Sequence, residues 1–419
     1  MLPDRHQREG STGPRLGLRL TRAGWLIVAS SIALVVLGRI LGVYELYLVG
    51  VAGVALVAVA TALVGRARPD LDVQRILHPP RTHAGGSARV DVRIKNRRSR
   101  RSPVLRLHDP VTGTGGADLY VGPLGRQGTA AATYQLPTEH RGVITVGPLS
   151  GAVIDPFGIA ERRFPVSGTS ELTVLPRTHR VLALRRTIGL DDPHAGEQQA
   201  NVLGLAGDEF YALRDYVLGD DMRRVHWPST ARRDELTVRQ AEVPWQGRTT
   251  VVLDARTGTT SSDSFELAVS AAASIITAAA RQDDRARLVI TDGTDTGYAD
   301  THLHVDNVME RLAIVDRHHG GTLADLAPTL ERGQSGAIVI VTSAPTRYDI
   351  EALLSLRVRV GVITLVLIHR SAVDPSTGDH LSLDLPATRD LRLIHVTSAA
   401  PFPSGWNAAM SDGRVGAAL

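Results

Sequence analysis

Residues 25–38 read WLIVASSIALVVLG and residues 46–65 read LYLVGVAGVALVAVATALVG. With Leu20 and the ILGV that follows Arg39 included, each run reaches the roughly 20 residues needed to cross about 30 Å of hydrocarbon at 1.5 Å per residue. A hairpin buried in a soluble core would need polar faces, and residues 28–37 hold nothing more polar than two serines. Two membrane-spanning helices are therefore predicted over residues 23–65. Arg39 and Glu45 fall in the short turn, where a long side chain can snorkel and a carboxylate can meet headgroup water. Trp25, Tyr44 and Tyr47 fall at the span ends, as amphipathic rings do at an interface. The small residues Gly50, Gly53, Ala55, Ala58 and Ala62 predict close helix packing.

Orientation follows from the flanks. Arg5, Arg8, Arg15, Arg19 and Arg22 precede the first span, Arg66 and Arg68 follow the second, and the turn is neutral, which assigns both ends to the cytosol. A cleaved signal peptide is the competing reading. It is opposed by the long basic leader, the lack of a small-x-small cleavage site and the second span that follows at once. The expected location is thus the cell membrane, as a multi-pass protein with its N-terminus and soluble domains cytoplasmic and the lipid bilayer as one partner.

The 419 residues suffice for about three folded units. Charge is segregated: residues 1–110 hold 18 Arg or Lys against 7 Asp or Glu, and the remainder holds 29 against 36. The pI of about 9.7 therefore reflects a basic collar beside the spans. A nucleic-acid partner is not expected, because that reading needs a basic folded domain and the distal part is acidic. Absence of cysteine excludes disulfides, thiol catalysis and cysteine-ligated zinc.

Residues 66–180 alternate β-prone runs with turns: LDVQRIL, ARVDVRIKN, PVLRLHD, AATYQL, RGVITVGPL, GAVIDPFG and ELTVLP. This pattern predicts an antiparallel β-sandwich, with Val90, Val92 and Ile94 facing inward at period two. NRRSRRS at 96–102 places Arg97, Arg98, Arg100 and Arg101 in a turn, read either as a solvated loop or, given the nearby spans, as a contact for anionic headgroups. Asp155–Gly158 reads as a turn with Phe157 buried.

The segment 181–247 contains the densest polar stretch, GDEFYALRDYVLGDDMRRVHWPSTARRDELTVRQAE at 207–242. Two readings stand side by side. In one, Arg214, Tyr216, Asp220, Arg224, His226 and Arg232 form an arginine–carboxylate network around a buried Trp227. In the other, His226 is a general base oriented by Asp215 or Asp220, in a hydrolase or transferase. No G-x-S-x-G elbow exposes Ser229 or Thr230, so no nucleophile is indicated.

The motifs RG-x-x-x-x-GP (Arg141, Gly142, Gly147, Pro148), DPFG (Asp155–Gly158), F-x-x-LR-x-Y (Phe210, Leu213, Arg214, Tyr216), GDD-x-R-x-x-HW (Gly219–Asp221, Arg224, His226, Trp227), S-x-AR (Ser229, Ala231, Arg232) and L-x-VR (Leu236, Val238, Arg239) occur in this order after the membrane hairpin. In this the chain resembles the bacterial family numbered fifty-eight among the domains of unknown function. That resemblance implies a C-terminal half like von Willebrand factor type A domains and an association with MoxR-type AAA+ ATPases. It implies no established activity.

Residues 248–419 alternate strand and helix on their own evidence: TTVVLD, a helix opened by Asp263 with Glu266 three residues on, RLVITDG, AIVIVTS, VRVGVITLVLI and DLRLIHVTS. Continuous apolar strands separated by helices predict a doubly wound α/β domain with a parallel sheet, and place Asp254, Asp292 and Thr342 at its ligand-binding rim. Type A domains hold a divalent ion there through D-x-S-x-S, a later Thr and an Asp. Here the first motif is Asp254-Ala-Arg256-Thr-Gly258, and the later strand ends in Thr342-Ser343. No metal is predicted, with Arg256 standing in as the cation and Asp254, Arg256 and Thr342 as the candidate binding rim. His302, His304, His318 and His319 are read as surface histidines.

The fold expected is multidomain: a basic flexible arm (1–22), a transmembrane hairpin (23–65), a β-sandwich (66–180), a connecting segment (181–247) and a type A-like α/β domain (248–419). The function expected is a membrane-anchored, non-enzymatic adaptor or scaffold that presents protein-binding surfaces to a MoxR-type ATPase system, without a cofactor.

Overall fold

Gly17–Leu20 form the first strand, β1, inside what the sequence assigned to a flexible arm. It pairs antiparallel with β10 (Ala160–Ser167), Leu20 lying opposite Ala160. The computed structural model describes residues 17–67, 69–184, 210–215, 230, 232, 237–241, 248–298, 302–331, 336–355, 363–374 and 391–411. It divides into two compact units at Pro176/Arg177.

Thr21 opens helix α1 (Arg22–Leu41) by accepting a hydrogen bond from the Gly24 N–H, and Gly42, at φ 69°, ends it in the left-handed region that favours glycine. Helix α2 (Tyr44–Arg66) follows. Both are long and apolar enough to cross a membrane, with mean hydropathy 2.1 and 2.4. They meet where side chains are smallest. A Cβ on Gly38 would lie 2.6 Å from the Tyr47 nitrogen, and one on Gly50 would lie 2.8 Å from the Ser31 carbonyl oxygen. Ala55 and Ala58, expected on this seam, face outward.

The rest of the first unit is strands: β2 (Leu71–His78), β3 (Arg81–His83), β4 (Arg89–Asn96), β5 (Leu105–Asp109), β6 (Ala117–Val121), β7 (Thr129–Gln135), β8 (Gly142–Val146), β9 (Leu149–Ile154), β10 and β11 (Ser170–Leu175). They form three sheets, ordered β1-β10-β9-β5-β6, β2-β4-β7 and β3-β11-β8, antiparallel except for the β3–β11 pair. Val90, Val92 and Ile94 are buried as the period-two reading requires, and share one core with Leu105, Leu107, Val146, Val153 and Leu172.

A buried polar cluster ties the sheets together. Arg75 pairs with Asp109 at 2.8 Å, the Tyr134 hydroxyl donates to the other Asp109 oxygen at 2.6 Å, and Arg75 also donates to Ser170 Oγ and the Gly168 carbonyl. Gly147, at φ 101°, leaves room for this guanidinium, since a Cβ there would lie 2.6 Å from Arg75 Nη1.

The second unit begins with a strap assigned by the sequence partly to the strand domain and partly to a connecting segment. Ser270 donates to the Arg177 carbonyl, the His179 N–H donates to Ser274, and Trp406 Nε1 donates to the Leu182 carbonyl at 2.7 Å. Strands β12 (Phe210–Asp215) and β13 (Thr237–Ala241) pair antiparallel. Then come β14 (Arg248–Leu253), α3 (Ser262–Ala280), β15 (Arg285–Ile290), α4 (His302–Ile314), α5 (Ala327–Glu331), β16 (Ala337–Thr342), α6 (Arg347–Ser355), β17 (Ile363–Ile368), β18 (Leu391–Val396) and α7 (Phe402–Ser411).

Five of these strands form an all-parallel sheet ordered β15-β14-β16-β17-β18. Every residue of β17 is buried, so both faces of the central sheet are covered. The third helix long and apolar enough to span a bilayer is α3, but 72% of its most apolar stretch is buried against 17% and 22% for α1 and α2, which makes it a core helix. Its cap is Ser261, which accepts from the Ser264 N–H, rather than the Asp263 that the sequence favoured.

Candidate functional site

The order β15-β14-β16 means that the chain leaves β14 toward one side and returns to the other, so the direction of winding reverses between β14 and β16. In open α/β sheets ligands bind at such a reversal, beyond the strand C-termini. Asp254 follows β14 there and Thr342 ends β16. Asp254 extends the strand ladder, its N–H donating to the Val341 carbonyl at 3.0 Å.

The carboxylate of Asp254 is fully buried and its oxygens are taken up by neighbours. Arg256 donates through Nε to Oδ1 and through Nη2 to Oδ2, both at 2.9 Å, in the planar two-pronged geometry that suits a guanidinium. Thr342 Oγ1 donates to Oδ2 at 2.7 Å and Thr259 Oγ1 at 3.2 Å. Arg256, 8% exposed, also donates to Asp349 at 3.2 Å. Asp349 lies in the first turn of α6, where its oxygens also accept from the Leu323 N–H, the Thr346 N–H and the Thr346 hydroxyl. Burial pushes the Asp349 carboxyl upward, but the Thr346 hydrogen bonds and the Arg256 charge outweigh it and hold the group below the usual carboxylate range.

The three residues assigned to the rim thus come together, and Asp349 and Thr346 join them from a segment that the sequence reading did not single out. A signal for them exists: Thr346-Arg-Tyr-Asp349 is a capping box, in which the Asp349 N–H also donates back to Thr346 Oγ1. Asp292 does not join. It is exposed and accepts from the Thr294 N–H within its own turn. Its neighbour Thr291 does join, holding the Ala255 N–H and His318 Nε2. His318 is therefore half-buried rather than a surface group, and His304 is likewise half-buried, 3.1 Å from the Ala286 carbonyl. His319 is exposed beside Thr257, and the His302 side chain lies outside the described residues.

This donor set does not fit a divalent cation. Oxygen ligands with unengaged lone pairs are needed, and a fixed positive charge already sits on both Asp254 oxygens.

The polar cluster at 207–242, within the second unit, is described only at its edges. Arg214 and Asp215 lie on β12 opposite Val238 and Thr237 on β13. Arg232 has helical backbone and is exposed. Tyr216, Asp220, Arg224, His226 and Trp227 lie outside the described residues.

Residues 212–395 match the family model described as "Protein of unknown function DUF58", which bears out the family named from the motifs, those from Leu213 to Arg239 lying within the matched residues. No curated protein matches the chain. Among solved structures, the CARDB domain of the PF1109 protein from Pyrococcus furiosus is 18% identical, covering 25% of this chain and 93% of that one at a TM-score of 0.19. The alkylpurine DNA glycosylase AlkC from Pseudomonas fluorescens is 13% identical, covering 27% and 33% at 0.19. A β-glucosidase from Listeria innocua is 16% identical, covering 26% and 17% at 0.17. TM-scores of this size assign no fold to the chain.

Proposed function

We propose that this chain, which belongs to the DUF58 family through residues 212–395, is a membrane-anchored, non-enzymatic adaptor. In this reading α1 and α2 span the membrane with both flanks in the cytosol. The strand region is a β-sandwich, the second unit is a type A-like domain, and their surfaces receive partner proteins, among them a MoxR-type AAA+ ATPase.

The observation that carries the reading is the closed rim at the reversal between β14 and β16. Where a sheet of this order ordinarily receives a small ligand or metal, the residues satisfy one another through Arg256, which supports a reading in which protein surfaces rather than this rim do the binding. Cross-linking in intact membranes, followed by detergent extraction of the full chain, is expected to recover an AAA+ ATPase joined to it. Recovery without any such ATPase would count against the partner.

A second reading is a hydrolase or transferase built on Asp215, Asp220 and His226, of which Asp215 lies at the end of β12, opposite Thr237 of β13. Turnover of ester or phosphoester substrates by the purified full chain, abolished by His226→Ala, would favour it over the adaptor.

A further inference from the structure

We propose that the helix-bearing end of the strand region is a lipid-facing surface, on which the Asp155–Gly158 turn sets Phe157 into the bilayer interface and the arginine loop at 97–101 lies on anionic headgroups. The inference rests on the reading of α1 and α2 as membrane spans.

The turn is fixed to the base of the hairpin. Thr21, the cap of α1, donates through its hydroxyl to the Gly158 carbonyl at 2.6 Å and through its N–H to the Ile159 carbonyl at 2.9 Å. Gly24 is so close to Ile159 that a Cβ would lie 2.2 Å from its carbonyl oxygen. Ile159 is buried among Val57, Ala60 and Val64 of α2, with Ile27 and Val28 of α1 packed alongside. Arg162 donates to the Gly65 and Ala67 carbonyls at the end of α2, the position where a cation satisfies a helix C-terminus. The turn therefore sits at the depth of the first helical residues of the span, level with Trp25.

At that depth Phe157 is 63% exposed, where the sequence reading had it buried. Asp155 organises the turn with both oxygens, accepting from the Phe157 N–H at 2.8 Å and the Ala160 N–H at 2.5 Å, and Gly158 closes it at φ 68°. The carboxylate is thereby consumed inside the turn, and the ring is what the turn presents. An aromatic ring held at this level matches the interfacial belt of membrane proteins.

Strand register brings the basic loop to the same end. Asn96, the last residue of β4, lies opposite Leu71, five residues beyond the end of α2, and Leu105 of β5 lies opposite Val153, just before the turn. The intervening loop is built rather than loose: the Asn96 side chain donates to the carbonyls of Arg100 and Gly125, and the Arg97 N–H donates to the Asp70 carbonyl. Arg98, Arg100, Arg101 and, on the adjoining loop, Arg126 are exposed, while Arg97 pairs with Asp72 at 3.3 Å. Cations concentrated within a Debye length of a membrane attract its anionic lipids.

The chain has no cysteine, so single cysteines can carry spin labels without other changes. Full-length Phe157→Cys, Val36→Cys and His140→Cys variants, labelled in phosphatidylcholine nanodiscs with and without phosphatidylglycerol, would be compared for access to dissolved oxygen and to a neutral water-soluble nickel chelate. Labels at 36 and 157 are expected to favour oxygen, the label at 157 at shallower depth, and the label at 140 to favour the chelate. A label at Ser99→Cys is expected to be shielded from the chelate only in discs containing phosphatidylglycerol, and to lose that shielding when Arg98, Arg100 and Arg101 are changed to Gln. A label at 157 as open to the chelate as that at 140, with 36 still in lipid, would overturn the inference while leaving the spans intact. A label at 36 in water would overturn both, and equal shielding of 99 in the two discs would remove the role given to the arginines.

Discussion

Arg256 is the cation shared by Asp254 and Asp349, two carboxylates with no exposure to solvent. Removing one partner of a buried ion pair leaves uncompensated charge, so Arg256→Met is expected to lower unfolding free energy by about 3 to 5 kcal/mol, read from urea titration of the full chain in detergent. The pH dependence has a definite sign. In the native protein Asp349 is held below its unfolded value, so its contribution is present above the ordinary carboxylate range and is lost as pH falls through the lowered value. Without Arg256 the burial of Asp349 is less opposed and its carboxylate binds a proton more readily, so the gap between variant and native protein is expected to narrow on acidification. A gap that is absent at neutral pH, or that widens in acid, would contradict the assignment. The same geometry predicts a metal-independent rim: calorimetric titration of the full chain with Mg²⁺ or Mn²⁺ is expected to show no binding, and stoichiometric binding abolished by Asp254→Ala would contradict it. Of this site the sequence makes Asp254, Arg256 and Thr342 legible, because strand ends in a parallel sheet announce themselves by apolar runs. It hides Asp349, because that partner comes from another loop and only its capping box is local.

Among the elements, those written in strong apolar periodicity are the ones the sequence exposes. Strands β14 to β18 and the hairpin helices belong to this group. Strands β1, β3, β6 and β10 do not. Strand β10 carries Glu161, Arg162, Arg163 and Pro165, with a register shift after Pro165, and β1 is four residues inside a basic leader. Both exist because of tertiary partners: β10 gives β1 its ladder, and Glu161 draws Arg19, Arg106 and Arg163 around it. Helix α7 is a further case. Trp406, with no exposure, packs beside Phe402 and holds the 177–184 strap through the Leu182 carbonyl, while Asn407 accepts from the Leu182 N–H. Trp406→Ala is expected to cost about 3 to 5 kcal/mol in the unfolding transition of the full chain, as emptying a large aromatic site does. Trp406→Phe is expected to lose far less, since the site stays largely filled and one hydrogen bond contributes about 1 kcal/mol. Equal losses for the two variants would mean that the hydrogen bond, not packing, fixes the strap.

For the whole molecule, the order of its regions is legible from composition, while their boundaries and the winding of the sheet are not. The division at Pro176/Arg177 depends on which core each side of the strap joins, and the order β15-β14-β16-β17-β18 depends on crossovers that leave no local signal. The hairpin is expected to anchor the chain with its folded units in the cytosol, since arginines lie on both flanks while the helix ends at the turn carry one charge of each sign, Arg39 in the last turn of α1 and Glu45 in the first of α2. Alkaline phosphatase, active only outside the cytosol, tests it when fused after Pro176 and, separately, inserted between Gly42 and Val43. The reporter is expected to be inactive after Pro176 and active in the turn; activity after Pro176 would contradict a cytosolic placement of the folded units.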